Sequence, residues 1–437
     1  FEDANFVGSA SGWDGGLNDV AQPNVDVELY DAADTYLAST TTAGDGTFSF
    51  TGLADGDYKV RVRSATIGDA DTPPAGGLNP TAGGTWPYPL AEMTWANGAA
   101  LLGGQSPTAD DSDTGDDLGP GDTWVPVTIS GVSVGNLDFG FAYNLIVNTL
   151  DDGLADAARS DQGSLRQFIK NSNAIAGVQS SSFQIPVTDT GYDGGGAFWS
   201  IQPMITGLPR IADPVILDAY TQPGASPGTQ GFPSALNSVI KVELDGTLIA
   251  GSGAPALLIS AGNSTVRGFA IHSFTGVGAH GIDVSTNGGN TIQGNFIGTD
   301  VSGTVASGIG GYALDLGTAD NLVGGPGAGD GNIFAASDTY GVWITGSNNT
   351  LQGNFVGTDI TGTVGVGHSA SGVGVISGTD IVVGGIAGAG NLISGNGGHG
   401  IWFNSSPING VVQGNRIGTD ITGTLALGNS SAGVMLN

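Results

Sequence analysis

Gly294-Asn295-Phe296-Ile297-Gly298-Thr299-Asp300-Val301-Ser302-Gly303-Thr304 returns almost unchanged at Gly353-Asn354-Phe355-Val356-Gly357-Thr358-Asp359-Ile360-Thr361-Gly362-Thr363. It returns again at Gly414-Asn415-Arg416-Ile417-Gly418-Thr419-Asp420-Ile421-Thr422-Gly423-Thr424. A second phrase alternates with it: Leu322-Val323-Gly324-Gly325 followed by Gly331-Asn332-Ile333, answered by Val382-Val383-Gly384-Gly385 followed by Gly390-Asn391-Leu392. Short apolar strands led by glycine open at Gly281, Gly311, Gly341, Gly372, Gly400 and Gly433, at spacings of 30, 30, 31, 28 and 33 residues. Short alternating strands joined by Gly, Asn, Asp, Ser and Thr leave no stretch suited to a helix, so the array is all-β. One flat coil cannot bury its own apolar row, whereas stacked coils bury it between them. Alignment of the copies puts Ile282, Tyr312, Val342, Val373, Ile401 and Val434 on one ladder. Val284, Leu314, Ile344, Val375, Phe403 and Leu436 fall on the next. The predicted fold is a right-handed parallel β-helix, regular over 281–437.

Asn295, Asn332, Asn354, Asn391 and Asn415 recur once per coil, each after a glycine. Glycine permits the positive φ of a tight corner, and stacked Asn amides can hydrogen-bond along the axis, so these five are read as a structural ladder.

Composition narrows the function. The chain of 437 residues has room for two or three domains. It contains no cysteine, which removes disulfides, thiol chemistry and thiolate metal sites. Forty acidic residues face ten basic ones, a net charge of −30, so phosphate backbones and anionic membranes are repelled. Glu occurs only at Glu2, Glu28, Glu92 and Glu243, and the Asp excess suits turns and calcium sites better than solvated helices. The 79 glycines follow no collagen period, and no run of about 18 apolar residues suggests membrane insertion. The chain opens at Phe1, which reads as processed or excised, and the composition as extracellular and bacterial.

The front of the chain has another rhythm. Val25-Asp26-Val27-Glu28-Leu29-Tyr30, Thr47-Phe48-Ser49-Phe50 and Tyr58-Lys59-Val60-Arg61-Val62 alternate as three antiparallel strands. Together with Phe1-Glu2-Asp3-Ala4-Asn5, Ala43-Gly44-Asp45-Gly46 and the closing Leu137-Asp138-Phe139-Gly140-Phe141, they resemble the B-type β-sandwich domains of bacterial surface proteins related to the serine-aspartate repeat adhesins. The resemblance implies an Ig-like sandwich over 1–143 with a long insertion at 64–121, a stalk-like non-catalytic role and calcium binding. Some relatives carry a Lys–Asn crosslink, but the first-strand lysine it needs is missing here. Asp110, Asp111, Asp113, Asp116, Asp117 and Asp122 form the densest carboxylate run and the calcium candidate, although the run departs from an EF-hand loop.

The second domain is placed at 144–437. Gly163-Ser164-Leu165-Arg166-Gln167-Phe168-Ile169 predicts a helix over about 163–175, capped by Ser164 and apolar at Leu165, Phe168 and Ile169. With Asn148-Thr149 before it, this phrase resembles the entry segment of a large group of bacterial β-helix surface proteins. The resemblance implies that the helix covers the open end of the solenoid.

No catalytic residue is assigned. Asp300, Asp359 and Asp420 recur every second coil, about 9.6 Å apart at the usual strand spacing, but identical settings cannot split them into acid and base. They read as turn corners, and His272, His280, His368 and His399 as exposed turn residues. Alternation turns Trp343 and Trp402 outward, with Gly374 leaving a gap between them, and these rings are candidates for an interface with a neighbouring subunit or for stacking sugars. Phe1 at one end, and Val434, Met435 and Leu436 in an uncapped coil at the other, suggest head-to-tail contact between copies. The expected role is a structural element of a surface fibre or stalk. The alternatives are a carbohydrate-binding or polysaccharide-degrading β-helix, or a fragment of a large adhesin.

Overall fold

The computed structural model describes residues 2–3, 19–20, 23–63, 92–96, 99–100, 124–135, 137, 139–142, 144–150, 163–174, 177–204, 207–386, 388–404 and 409–437. Contacts divide the chain into two units: Phe1–Val147 with Leu154–Ile175, and Asn148–Gly153 with Ala176–Asn437.

The first unit contains two sheets. One is antiparallel, ordered Tyr36–Thr41, Asp26–Asp31, Gly56–Val62, Val125–Ile129. The other is ordered Asp19–Val20, Glu2–Asp3, Phe139–Ala142, Glu92–Ala96, Ala99–Ala100. Val25, Val27, Leu29, Val60, Val62, Val125 and Phe139 form the buried core. Glu92–Ala96 lies inside the stretch read as an insertion, yet it pairs directly with the closing strand. Thr47–Phe50 is not a strand. The ladder partner of Asp26–Asp31 is instead Tyr36–Thr41, and Phe48 and Phe50 pack on the core from an irregular segment, their rings 6.2 Å apart and T-shaped. Alternation there reports burial without backbone pairing. In the helix Leu165–Ala174, Ser164 Oγ accepts the Gln167 N–H at 3.1 Å, the expected cap. Burial extends around the helix to Arg166, Gln167, Asn171 and Ser172, beyond the single apolar face read from sequence.

The second unit is a parallel β-helix with three long sheets, here called faces A, B and C. Face A has eight strands, from Gln179–Ser180 to Val411–Gln413. Face B has nine, from Tyr192–Asp193 to Arg416–Ile417; its first pair is antiparallel and the rest are parallel. Face C has seven, from Leu257–Ile259 to Val434–Leu436. In each regular coil the chain runs from face C to face A to face B. Ile282, Leu314, Val342, Val373, Ile401 and Val434 are successive partners on face C. The ladder through Tyr312 was therefore misplaced by two residues. Ala313, not Gly311, stands where Gly281 stands, and Tyr312 lies before the strand, half-buried.

Asn295, Asn332, Asn354, Asn391 and Asn415 stack at the corner between faces A and B. Each Oδ1 from Asn332 onward accepts both the backbone N–H and the Nδ2–H of the Asn before it, at 2.9–3.2 Å. The preceding glycine is held at φ +70° in Gly353, and a Cβ there would lie 2.3 Å from the Gly325 carbonyl oxygen. A second ladder, Asn290–Asn321–Asn349, occupies the corner between faces C and A.

The segment 219–241 lies along the stack as a strap over the outside of face B. Leu236 N–H donates to the Ile360 carbonyl at 3.1 Å, and Arg416 Nη1 donates to the Pro233 carbonyl at 3.2 Å. Leu236 and Ile240 cover Phe296, Ile333, Phe355 and Leu392, so that the central strands of face B are buried on both sides.

Candidate functional site

The three Gly-Thr-Asp loops repeat at every second coil. Asp359 accepts hydrogen bonds from Thr361 Oγ1 at 2.8 Å, Thr363 N–H at 3.3 Å and Val364 N–H at 3.2 Å. Asp300 and Asp420 do the same in their own loops. Each carboxylate is thus spent on its own turn. The loops also stack: a Cβ on Gly303 would lie 2.9 Å from Ile360 Cβ, and one on Gly362 would lie 2.7 Å from Ile421 Cβ. Each glycine is the socket for an isoleucine two coils on.

None of the four histidines is exposed: His280 and His399 are half-buried, and His272 and His368 are buried. His272 is buried on the outside of face B, with Nε2 3.1 Å from Glu243 Oε2 and Nδ1 2.9 Å from Ser273 Oγ. Desolvation lowers its pKa, but the Glu243 hydrogen bond and the charges of Glu243, Asp245 and Asp300 outweigh it and hold the group above its ordinary value. His368 is 2 % exposed and takes an Asn position in a third corner ladder. Its Nδ1 accepts the Ser337 N–H at 3.2 Å, as Asn396 Oδ1 accepts the His368 N–H at 3.4 Å one coil on. Burial pushes its pKa down to about 3, against a small opposing effect of the Phe334 carbonyl, and Nε2 has no well-formed hydrogen bond. Sequence reasoning missed both residues because only Asn was sought in the ladders, and because nothing local to His272 announces Glu243, 29 positions earlier.

The outward side of face C carries the aromatic residues. The middle residues of successive strands, Asp283, Asp315, Trp343, Gly374, Trp402 and Met435, form one axial row. His280, Tyr312 and Tyr340 lie beside it, each two positions before its strand. Tyr312 is stacked between His280, at 4.7 Å and 11°, and Trp343, at 4.8 Å and 8°. The expected gap at Gly374 is filled. Tyr340 lies over it, so that a Cβ there would be 3.1 Å from the ring, and it reaches Trp343 at 4.7 Å and Trp402 at 5.8 Å. Burial drives the Asp315 pKa up to about 7, with the neighbouring Asp283 adding to it, and burial also raises Asp283.

The described coils end with their apolar residues in solvent: Val434 is 40 % exposed, Met435 36 % and Leu436 71 %. Phe1 and the calcium candidates Asp110, Asp111, Asp113, Asp116, Asp117 and Asp122 lie outside the described residues. Among the described residues no group of three or more His, Asp or Glu is placed to hold a metal, and no helix is long and apolar enough to cross a membrane. Lys59, on its later strand, pairs with Asp34 and lies 4.1 Å from the centre of the Trp124 ring.

Residues 1–82 match the family described as the SdrD B-like domain. The match lies within the first unit and covers the resembling segments up to Val62, but not the closing segment 137–141. No solved structure matches the chain.

Proposed function

We propose that this chain is a non-catalytic structural element of a bacterial cell-surface protein. In this reading the β-helix is a rigid rod, and copies associate head to tail through coil edges. The SdrD B-like match supports an adhesin-like surface setting. The rod rests on one observation above all: three long sheets whose strands stack in parallel, the first pair of face B excepted, with every corner Asn from Asn295 to Asn391 hydrogen-bonded to the next. Such a stack resists bending because every coil is tied to its neighbours at several points.

The exposed edges Val411–Gln413, Arg416–Ile417 and Val434–Leu436 would accept a further parallel coil, from this chain or from another copy. Head-to-tail contact of the latter kind does not close and yields a fibre. Electron microscopy and sedimentation across a concentration series test this. The account expects filaments that lengthen with concentration and are lost in a Met435→Lys/Leu436→Asp variant, whereas monodisperse particles at high concentration would contradict assembly. Calcium at Asp110, Asp111, Asp113, Asp116, Asp117 and Asp122 belongs to the same reading, and calorimetric titration with no uptake up to the millimolar range would remove it.

A further inference from the structure

The carboxylates of the aromatic strip on face C differ in one respect from the others that the described solenoid buries wholly or in part. Asp300, Asp359 and Asp420 are saturated by their own loops, and Asp218 is paired to Arg267 at 2.6 Å. By contrast, Asp283 and Asp315, half-buried on adjacent strands, accept no hydrogen bond from the described chain. The nearest cation candidate is His280, whose Nε2 stands 3.9 Å from Asp315 Oδ2, too far for a hydrogen bond. Its Nδ1 is occupied by the Tyr312 N–H at 2.9 Å, so that Nε2 carries the proton. The Tyr312 and Tyr340 hydroxyls and the Trp343 and Trp402 indole N–H groups likewise have no partner within the described chain. These groups are half-buried, open to a ligand from solvent, and held by no competing side chain of the described strip.

The occupant can be narrowed by chemistry. An extended peptide binds a sheet through unpaired backbone at an edge. On face C the backbone is consumed by the ladder, and only side chains point outward. An anionic ligand meets the Asp283–Asp315 pair in a chain of net charge −30. Burial holds Asp315 near neutrality, so the pair can both donate and accept hydrogen bonds, as hydroxyl groups require. The rings stack on one another and offer edges and partly exposed surfaces, repeating at the strand spacing of about 4.8 Å along the axis. A linear, hydroxyl-rich chain with apolar C–H patches fits both features.

We propose that this strip binds an uncharged glycan chain laid along the solenoid axis. Asp283 and Asp315 hydrogen-bond its hydroxyls, and the Trp343 and Trp402 rings pack against its apolar patches. The site does not depend on head-to-tail assembly.

A glycan array carrying uncharged, amino and uronate-containing glycans, probed with the full chain, tests the proposal. Binding to uncharged glycans is expected, with apparent affinity falling about tenfold or more in Asp283→Ala/Asp315→Ala, since the loss of one or two such hydrogen bonds is of that size. The alanine changes remove both hydrogen-bonding groups from a half-exposed position, and an unchanged thermal melt verifies the fold. Trp402→Phe, which keeps a ring but removes the indole N–H, is expected to weaken binding less. Absence of binding to any uncharged glycan, binding confined to amino or uronate glycans, or affinity unchanged in the double Ala variant would each overturn the proposal.

Discussion

At the scale of single residues, the stability of the coils rests on buried amides with no spare partners. Asn354 Oδ1 receives two hydrogen bonds from Asn332, at 3.2 and 2.9 Å, and its Nδ2 reaches Val323, Gln352 and Asn391. Asn354→Ala therefore strands several buried groups, each costing about 1–3 kcal/mol. Chemical denaturation should show a loss of at least about 2 kcal/mol, and a loss within error of zero would mean that water reaches the corner. His368 carries a different prediction. Its folded pKa of about 3 lies below the ordinary value of 6.5, so between these limits the unfolded chain binds the extra proton and stability falls as pH falls. Between pH 6.5 and 4 the fall amounts to about 3 kcal/mol at 1.36 kcal/mol per pH unit. Asn presents its Oδ1 where His368 presents Nδ1 and lacks the stranded Nε2, so His368→Asn should be neutral or stabilising at pH 7 and should flatten this acid slope. A slope unchanged in His368→Asn would assign the acid sensitivity elsewhere. His272 acts with the opposite sign. Its folded pKa is raised, so its contribution is complete below pH 6.5 and is lost as pH rises through the folded value.

At the scale of elements, the strap 219–241 couples coils that are far apart in sequence. Leu236, 5 % exposed, packs in the cluster with Phe296, Ile333, Phe355 and Leu392. Leu236→Ala should cost about 2–5 kcal/mol, and hydrogen exchange should show the loss spread over the face B strands. A loss confined to the strap would mean that face B is self-sufficient. The strap was illegible in the sequence because Phe232, Leu236 and Ile240 belong to no repeat and follow no strand period. The repeating strands were legible because alternation and glycine corners recur in every coil. Where the corner varies, at Gly311-Tyr312-Ala313, the glycine no longer marks the strand start, and the chain enters the strand two residues later than the repeat implies, at Leu314. The aromatic strip was half legible. Trp343 and Trp402 followed from alternation, whereas Tyr312 and Tyr340 precede their strands, and only the coil stacking brings them to the rings.

At the scale of the whole molecule, a solenoid whose coils repeat one register is a ruler. Gln293, Gln352 and Gln413 lie on the outward side of face A two coils apart, with Gly324 and Gly384 between them. The chain has no cysteine, so paired cysteines can be introduced and spin-labelled without interference. Electron–electron distance measurement on Gln293→Cys/Gln413→Cys, four coils apart, tests the stacked-coil account directly. It predicts a single narrow distribution centred within a label length of ~19 Å, four strand spacings. A broad distribution, or one centred beyond ~30 Å, would contradict it.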